Sequence, residues 1–312
     1  MRAIAVDEYG AAPALTDVPD PQPGPGQVLI TIEAAGMNPM DRNISNGAWK
    51  DSMPATFPLV LGADLAGVVE AVGEGAGKFS PGDEVFGQLF ITPLGSAGTY
   101  AEQVAVTEDA PLARVPPGLD PVVAAALPTA GGTALEIIES LESLEGKIVL
   151  IVGAAGGVGS FATQFAANAG AQVIAIARAD AADRMRAYGA AETIDYTAVS
   201  LPEALWRAHP HGIDALVDVA SDADGFAALA SLVHPGGTAL TTRYVADADA
   251  LASRSVTGVN FRVSISSGLL ERLADALVSG LIVAPPITRI ALDDVPAVNG
   301  NGHAGGKTVI TL

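Results

Sequence analysis

Apolar residues run unbroken over 148–152 and again over 173–177, and a helix-spaced stripe lies between the two runs. Aliphatic, β-branched runs without alternation predict parallel strands buried on both faces. Phe161, Phe165 and Ala169 recur at every fourth position, one face of a helix, and Gly170 closes that helix. Gly153-Ala154-Ala155-Gly156-Gly157-Val158-Gly159 joins the first strand to the helix. Gly153 and Gly156 allow a tight turn and close backbone approach, and Gly159 removes a side chain where the helix must pack on the strand. Strand, glycine turn, helix and second strand together predict a dinucleotide site. In it Ala155, Gly156, Gly157 and Val158 present helix N–H groups to a pyrophosphate. The alternative is a turn that only joins the two elements.

The same alternation continues downstream. Helices are expected over 181–188, 201–208 and 226–232, and strands over 193–196, 215–219, 238–242 and 256–259. That is a doubly wound parallel sheet of about six strands. The N-terminal part is patterned differently: strands over 3–6, 28–34, 66–72, 84–89 and 101–106 are separated by Gly and Pro punctuation. Short strands with dense turn signals predict a barrel or sandwich. Pro116-Pro117-Gly118 marks a boundary. An apolar helix begins at Pro121, is interrupted by Leu127-Pro128-Thr129-Ala130-Gly131-Gly132, and is followed by another over 133–144. An amphipathic helix over 269–278 and a strand over 308–312 close the chain.

Composition narrows the function. Acids outnumber bases 35 to 16, for a net charge of −19, and phosphate repulsion then argues against general nucleic-acid binding. No apolar run reaches the roughly 20 residues that span a bilayer, and Asp7 comes too early for a signal peptide. Cysteine is absent, which removes disulfides, thiolate metal sites and a Cys nucleophile. A reducing, cytoplasmic setting is expected.

Five stretches carry a family resemblance: 35–41 (Ala-Gly-Met-Asn-Pro-Met-Asp), 61–69, 81–85, 127–131 and 154–159. In order and spacing the chain resembles the medium-chain dehydrogenase/reductase superfamily, in its zinc-lacking quinone oxidoreductase-like branch. The resemblance implies an α/β protein with a GroES-like β-rich catalytic domain, residues 1–119 completed by 261–312, and a Rossmann domain over 120–260. It also implies a homodimer. Gly305-Gly306-Lys307-Thr308-Val309 resembles the family's closing strand, and Lys307 is counted with the cofactor-binding residues. Zinc-dependent members place Cys at the position of Asn38 and His at that of Ala63. Asp64 alone cannot replace a three-ligand catalytic site, so no metal is expected. Without a Lewis acid, a quinone or enone is the better acceptor, because hydride addition leaves its charge on an enolate oxygen.

The expected cofactor is NADPH. No acid stands at the tip of the second strand, where NAD enzymes bind the ribose; Arg178 stands there and offers its guanidinium to a 2′-phosphate. Tyr196 resembles a family position touching the same phosphate. Ser221 and Thr241 follow the fourth and fifth sheet strands at their carboxyl ends. Phe261 either walls the nicotinamide or packs in the core. Thr129 resembles the family's residue beside the nicotinamide, with a plain turn residue as the alternative. Asn38 is the candidate to bind substrate or nicotinamide ribose, against a turn-forming role before Pro39. Asp41 is a candidate acid or, more simply, a helix cap. Trp49 either stacks on a flat substrate or covers the barrel rim. None of His209, His211, His234 and His303, all in loop-like settings, commends itself as an acid, so the proton is expected from water. Two alternatives remain open: a non-catalytic NADPH-binding protein and an enoyl-thioester reductase.

Overall fold

The computed structural model describes residues 1–298 and 305–312; His303 lies outside them. The chain divides into two units. One comprises Met1–Gly132, Ile265–Ser279 and Pro286–Leu312, the other Thr133–Ser264 and Gly280–Pro285.

The first unit is built from β1 (Arg2–Val6), β2 (Ala14–Asp17), β3 (Gln27–Gly36), α1 (Pro39–Ser45), β4 (Leu59–Val60), β5 (Asp64–Val72), β6 (Glu84–Gln88), β7 (Gln103–Thr107), β8 (Leu112–Arg114), α2 (Pro121–Ala125) and the start of α3 (Pro128–Ser140). Strands β2, β4 and β8 are four, two and three residues long, too short to show alternation in sequence. β3 is the hub, pairing antiparallel with both β5 and β7. Its inward positions Val28, Ile30 and Ile32 alternate at the strand period and join Leu65, Val69 and Val85 in one apolar cluster. Burying each such side chain contributes roughly 1.5–3 kcal/mol.

The second unit contains β9 (Ile148–Val152), α4 (Gly157–Asn168), β10 (Gln172–Ile176), α5 (Ala182–Ala187), β11 (Glu192–Ile194), α6 (Leu201–Ala208), β12 (Ile213–Asp218), α7 (Ala223–Ala230), β13 (Val233–Thr241), α8 (Ala248–Ala252) and β14 (Thr257–Asn260). Its six strands are all parallel, in the order β11-β10-β9-β12-β13-β14. The order reverses between β9 and β12, the switch point beside which such sheets bind ligands. The chain then returns to the first unit with α9 (Ser267–Val278), β15 (Ile287–Ala291), α10 (Val295–Val298) and β16 (Lys307–Thr311). β16 pairs antiparallel with the end of β3, setting Val309 opposite Gly36.

Three boundaries differ from the sequence reading. The first break falls after Gly132, not Leu119, because α2 packs on β3, β5 and β6. The second falls after Ser264: Phe261 donates its N–H to the Thr241 carbonyl, and Ser264 donates its own to Glu136. Helix α3 starts at Pro128, not Thr133. A proline in the first turn forfeits only an N–H that has no helical acceptor. Gly131 and Gly132 are held inside the helix by close neighbours, since a Cβ would lie 2.7 Å from Leu273 and 2.4 Å from Ile265. Among the described residues no helix is long and apolar enough to cross a membrane.

Candidate active site

Where β3 gives way to α1, the chain places Asn38 at the helix N-cap in an extended conformation. The Asn38 backbone N–H donates to Asp41 Oδ2 at 2.7 Å, one half of a capping pair. Its side chain points into the unit. Asn38 Nδ2 donates to Asp64 Oδ2 at 2.9 Å and to the Gly36 carbonyl at 3.3 Å. Asn38 Oδ1 accepts from Lys307 Nζ at 2.7 Å, and Lys307 also donates to the Met37 carbonyl at 2.8 Å. Lys307 Nζ lies 3.7 Å from Asp64 Oδ2, and both residues are buried. Asp64, the first residue of β5, further accepts from the Thr129 N–H at 3.1 Å and from the Thr129 hydroxyl. That hydroxyl in turn accepts from Gln88 Nε2 at 2.7 Å. Burial pushes the Asp64 carboxyl up and the Lys307 ammonium down, and each charge pulls the other back.

Three of the expected site residues take part in this network. Asn38 donates its amide hydrogens to Gly36 and Asp64. The Thr129 hydroxyl is engaged by Asp64 and Gln88. The Lys307 ammonium is turned onto Met37, Asn38 and Asp64. Lys307, Asp64 and Asn38 form a closed polar floor beneath the start of α1. Gln88 and Tyr100 belong to the same site and carry no local sequence signal, since neither sits in a motif.

Asp41 occupies the next turn. Its Oδ2 accepts from the Tyr100 hydroxyl at 2.6 Å as well as from the Asn38 N–H, while Oδ1 is buried without a hydrogen-bond partner among the described residues. Burial pushes its pKa up to about 7, against the opposing pull of those two donors. Trp49 is half-buried against the apolar core of this unit.

In the second unit, Gly153 follows β9 with φ of +80°, and Gly156 caps α4 with φ −79° and ψ −176°. A Cβ at Gly159 would lie 2.2 Å from the Gly153 carbonyl oxygen, so helix and strand meet only through glycine. A Cβ at Gly156 would meet nothing closer than that oxygen at 3.3 Å. The face of Gly156 is therefore open in the protein itself. The N–H groups of the first turn, at Gly157 and Val158, have no intrahelical acceptor, and Ala155 is fixed by the Arg184 guanidinium donating to its carbonyl. These features fit a bound pyrophosphate.

Arg178 follows β10 and is exposed, and Tyr196 follows β11 with half its surface exposed. Asp195 stands between them in the chain. Its carboxylate accepts from the Thr197 hydroxyl and N–H and from the Ala179 N–H. The Thr197 hydroxyl first, and more weakly the nearby Arg178 charge, hold Asp195 below the usual carboxylate range. This acid beside Arg178 is missed when only the tip of β10 is inspected. At the end of β12, Asp218 is buried and its Oδ1 accepts from the N–H groups of Ala220 and Ser221, which shapes the turn bearing Ser221. Thr241, the last residue of β13, is fully buried, and its hydroxyl accepts from the Arg243 N–H. Phe261 is half-buried after β14.

A catalytic zinc does not fit the first unit. Asn38 and Ala63 offer no thiolate or imidazole, and both Asp64 oxygens are engaged by hydrogen bonds. Among the described residues no three His, Cys, Asp or Glu side chains are grouped to hold a metal ion.

Residues 24–117 match the family described as Alcohol dehydrogenase GroES-like domain, and residues 157–275 match Zinc-binding dehydrogenase. A chloroplastic quinone-oxidoreductase of Triphysaria versicolor is 30% identical, over 99% of this chain and 98% of its own. The chloroplastic NADPH-dependent alkenal/one oxidoreductase of Arabidopsis thaliana is 31% identical, over 99% of this chain and 79% of its own. Among solved structures, the quinone oxidoreductase of Coxiella burnetii is similar with a TM-score of 0.88 and 26% identity, covering 100% of this chain and 99% of that one.

Proposed function

Because the chain belongs to the medium-chain dehydrogenase/reductase superfamily, in its quinone oxidoreductase-like branch, we propose that it reduces quinones, enones or related conjugated carbonyls with NADPH. It is an oxidoreductase that uses a nicotinamide cofactor. The observation that carries the acceptor class is the donor set of the first unit: Asn38 and Ala63 stand at the two positions where zinc-dependent relatives keep Cys and His. Without a Lewis acid, which this donor set does not hold, an isolated ketone is harder to polarise, whereas a conjugated acceptor spreads its developing charge. The names of the Triphysaria and Arabidopsis relatives refer to a quinone and to alkenals or alkenones.

When bound, the reduced nicotinamide supplies the hydride. Gly156, Gly157 and Val158 would hold the pyrophosphate through the free N–H groups of α4. Arg178 and Tyr196 would meet the 2′-phosphate, and Ser221 and Phe261 would border the nicotinamide side of the sheet. Arg178→Ala should weaken NADPH binding by about 1.5–3 kcal/mol and leave NADH nearly unchanged, the scale of a charge-assisted hydrogen bond. Fluorescence titration with both cofactors checks this, and equal losses for both remove the phosphate assignment.

Asp195 favours a second reading, in which its carboxylate beside Arg178 accepts from a ribose 2′-hydroxyl and selects NADH. A wild-type preference for NADH that Asp195→Asn abolishes would establish it. Turnover is tested by NADPH oxidation with para-benzoquinone and cyclohexenone. Tight NADPH binding without turnover on either acceptor would leave a cofactor-binding protein.

A further inference from the structure

We propose that Arg184 is a further cofactor-binding residue, whose positive charge, held at the glycine turn, attracts the pyrophosphate that NADPH and NADH share. This role rests on the reading of the turn as the cofactor site and adds to it a residue that no motif singles out.

Helix α5 brings the guanidinium to the turn, within the second unit. Met185 is fully buried and fixes which way the helix faces. Arg184 and Tyr188, four positions apart, share one side of it, and both are partly buried. Arg184 Nη2 donates to the Ala155 carbonyl at 3.2 Å. On its other side the guanidinium acts on the Tyr188 hydroxyl, which burial pushes up and the Arg184 charge pulls back. The cation is thus held between α5 and the turn.

The peptide that Arg184 holds stands directly before the phosphate-binding groups. The carbonyl of the Ala155–Gly156 peptide accepts from Arg184, and its N–H donates to the Gly153 carbonyl at 3.0 Å. The next two peptides carry the N–H groups of Gly157 and Val158, which begin α4 without an intrahelical acceptor. A full positive charge therefore stands beside a helix N-terminus that itself carries about half a charge. It also opposes the field of the whole molecule. With a net charge of −19 the protein repels an anionic cofactor, and a cation fixed at the turn offsets that repulsion where it matters.

The two arginines then divide the cofactor between them. Arg178, past the end of β10, would meet the 2′-phosphate present only in NADPH. Arg184 acts on the pyrophosphate present in both, so its loss should weaken both cofactors alike.

Two variants isolate the charge. Arg184→Gln keeps an amide donor for the Ala155 carbonyl and loses the charge, whereas Arg184→Lys keeps the charge and loses the planar fork. Calorimetric titration with NADPH, NADH and ADP-ribose, at low and high salt, gives the dissociation constants, and melting temperature controls for folding. ADP-ribose carries the pyrophosphate without nicotinamide or 2′-phosphate. Arg184→Gln should raise the Kd of all three ligands by about 10-fold at low salt. Arg184→Lys should stay within about 3-fold of the wild type, because an attraction between charges survives the exchange. The salt dependence should be shallower in Arg184→Gln than in the wild type, since one screened attraction is gone.

A loss confined to NADPH would put Arg184 on the 2′-phosphate and overturn the pyrophosphate assignment. An Arg184→Gln protein that binds all three ligands as the wild type does overturns the role of Arg184 and leaves the cofactor site standing. So does a loss that Arg184→Lys fails to restore and that salt does not change, since the residue then only ties α5 to the turn. A wild type that binds none of the three overturns the cofactor reading itself, and the role of Arg184 falls with it.

Discussion

Replacing Lys307 by methionine should destabilise the protein by about 3–5 kcal/mol, because it leaves the buried Asp64 carboxylate without its counter-charge. Lys307 is 4% exposed and Asp64 is not exposed at all, so water cannot substitute for the lost ammonium. The loss also removes the donors to Asn38 Oδ1 and the Met37 carbonyl, and an unmet buried acceptor costs about 1–3 kcal/mol. The site can relax by protonating Asp64, which burial already favours. For that reason Lys307→Met combined with Asp64→Asn should cost less than the sum of the two single changes. Urea unfolding of the three variants checks the prediction. A loss below about 1 kcal/mol for Lys307→Met would show that the pair is not a structural element.

Gly156→Val should reduce NADPH affinity by about 100-fold or more, some 2.7 kcal/mol, with melting temperature almost unchanged. The backbone there has φ −79° and ψ −176°, an extended conformation open to any residue, and a Cβ meets only the Gly153 carbonyl oxygen at 3.3 Å. What the branched side chain takes is the space before the free N–H groups of α4, where a pyrophosphate must approach. Gly159→Ala separates the two roles of the turn. Its Cβ would lie 2.2 Å from the Gly153 oxygen and 2.6 Å from the Ala154 Cα, so stability should fall. Calorimetric titration with NADPH and a thermal melt on each variant decide the matter. A Gly156→Val protein that melts early but keeps its affinity would make the turn purely structural.

The second unit was legible because its signals are local. An unbroken aliphatic run such as Ile148–Val152 forms a doubly covered strand wherever it sits, and the glycine turn acts on its immediate neighbours. The alternation of strands and helices then admits few topologies, and the observed order is that of a doubly wound sheet. The exposed positions of Arg178 and Tyr196 follow from their place just past strand ends. Short strands such as Leu59–Val60 and Leu112–Arg114 were not legible, since two or three residues define no period. Their pairing depends on partners far along the chain: Val60 opposite Ala5, and Arg114 opposite Val85.

The site of the first unit divides along the same line. Sequence alone determined the Asn38-Pro39-Met40-Asp41 turn, the missing zinc ligands at Asn38 and Ala63, and the candidacy of Asp41 and Lys307, because each is a statement about residue type at a position. Only the tertiary structure decided where their polar atoms point. Lys307 reaches Asn38 across 269 positions, Thr129 reaches Asp64 across 65, and Tyr100 reaches Asp41 across 59. A side chain's orientation is set by whichever acceptor or donor would otherwise be buried unpaired, and that partner arrives from another strand. Asn38 is therefore joined to the polar floor, and Asp41 keeps one oxygen without a hydrogen-bond partner among the described residues.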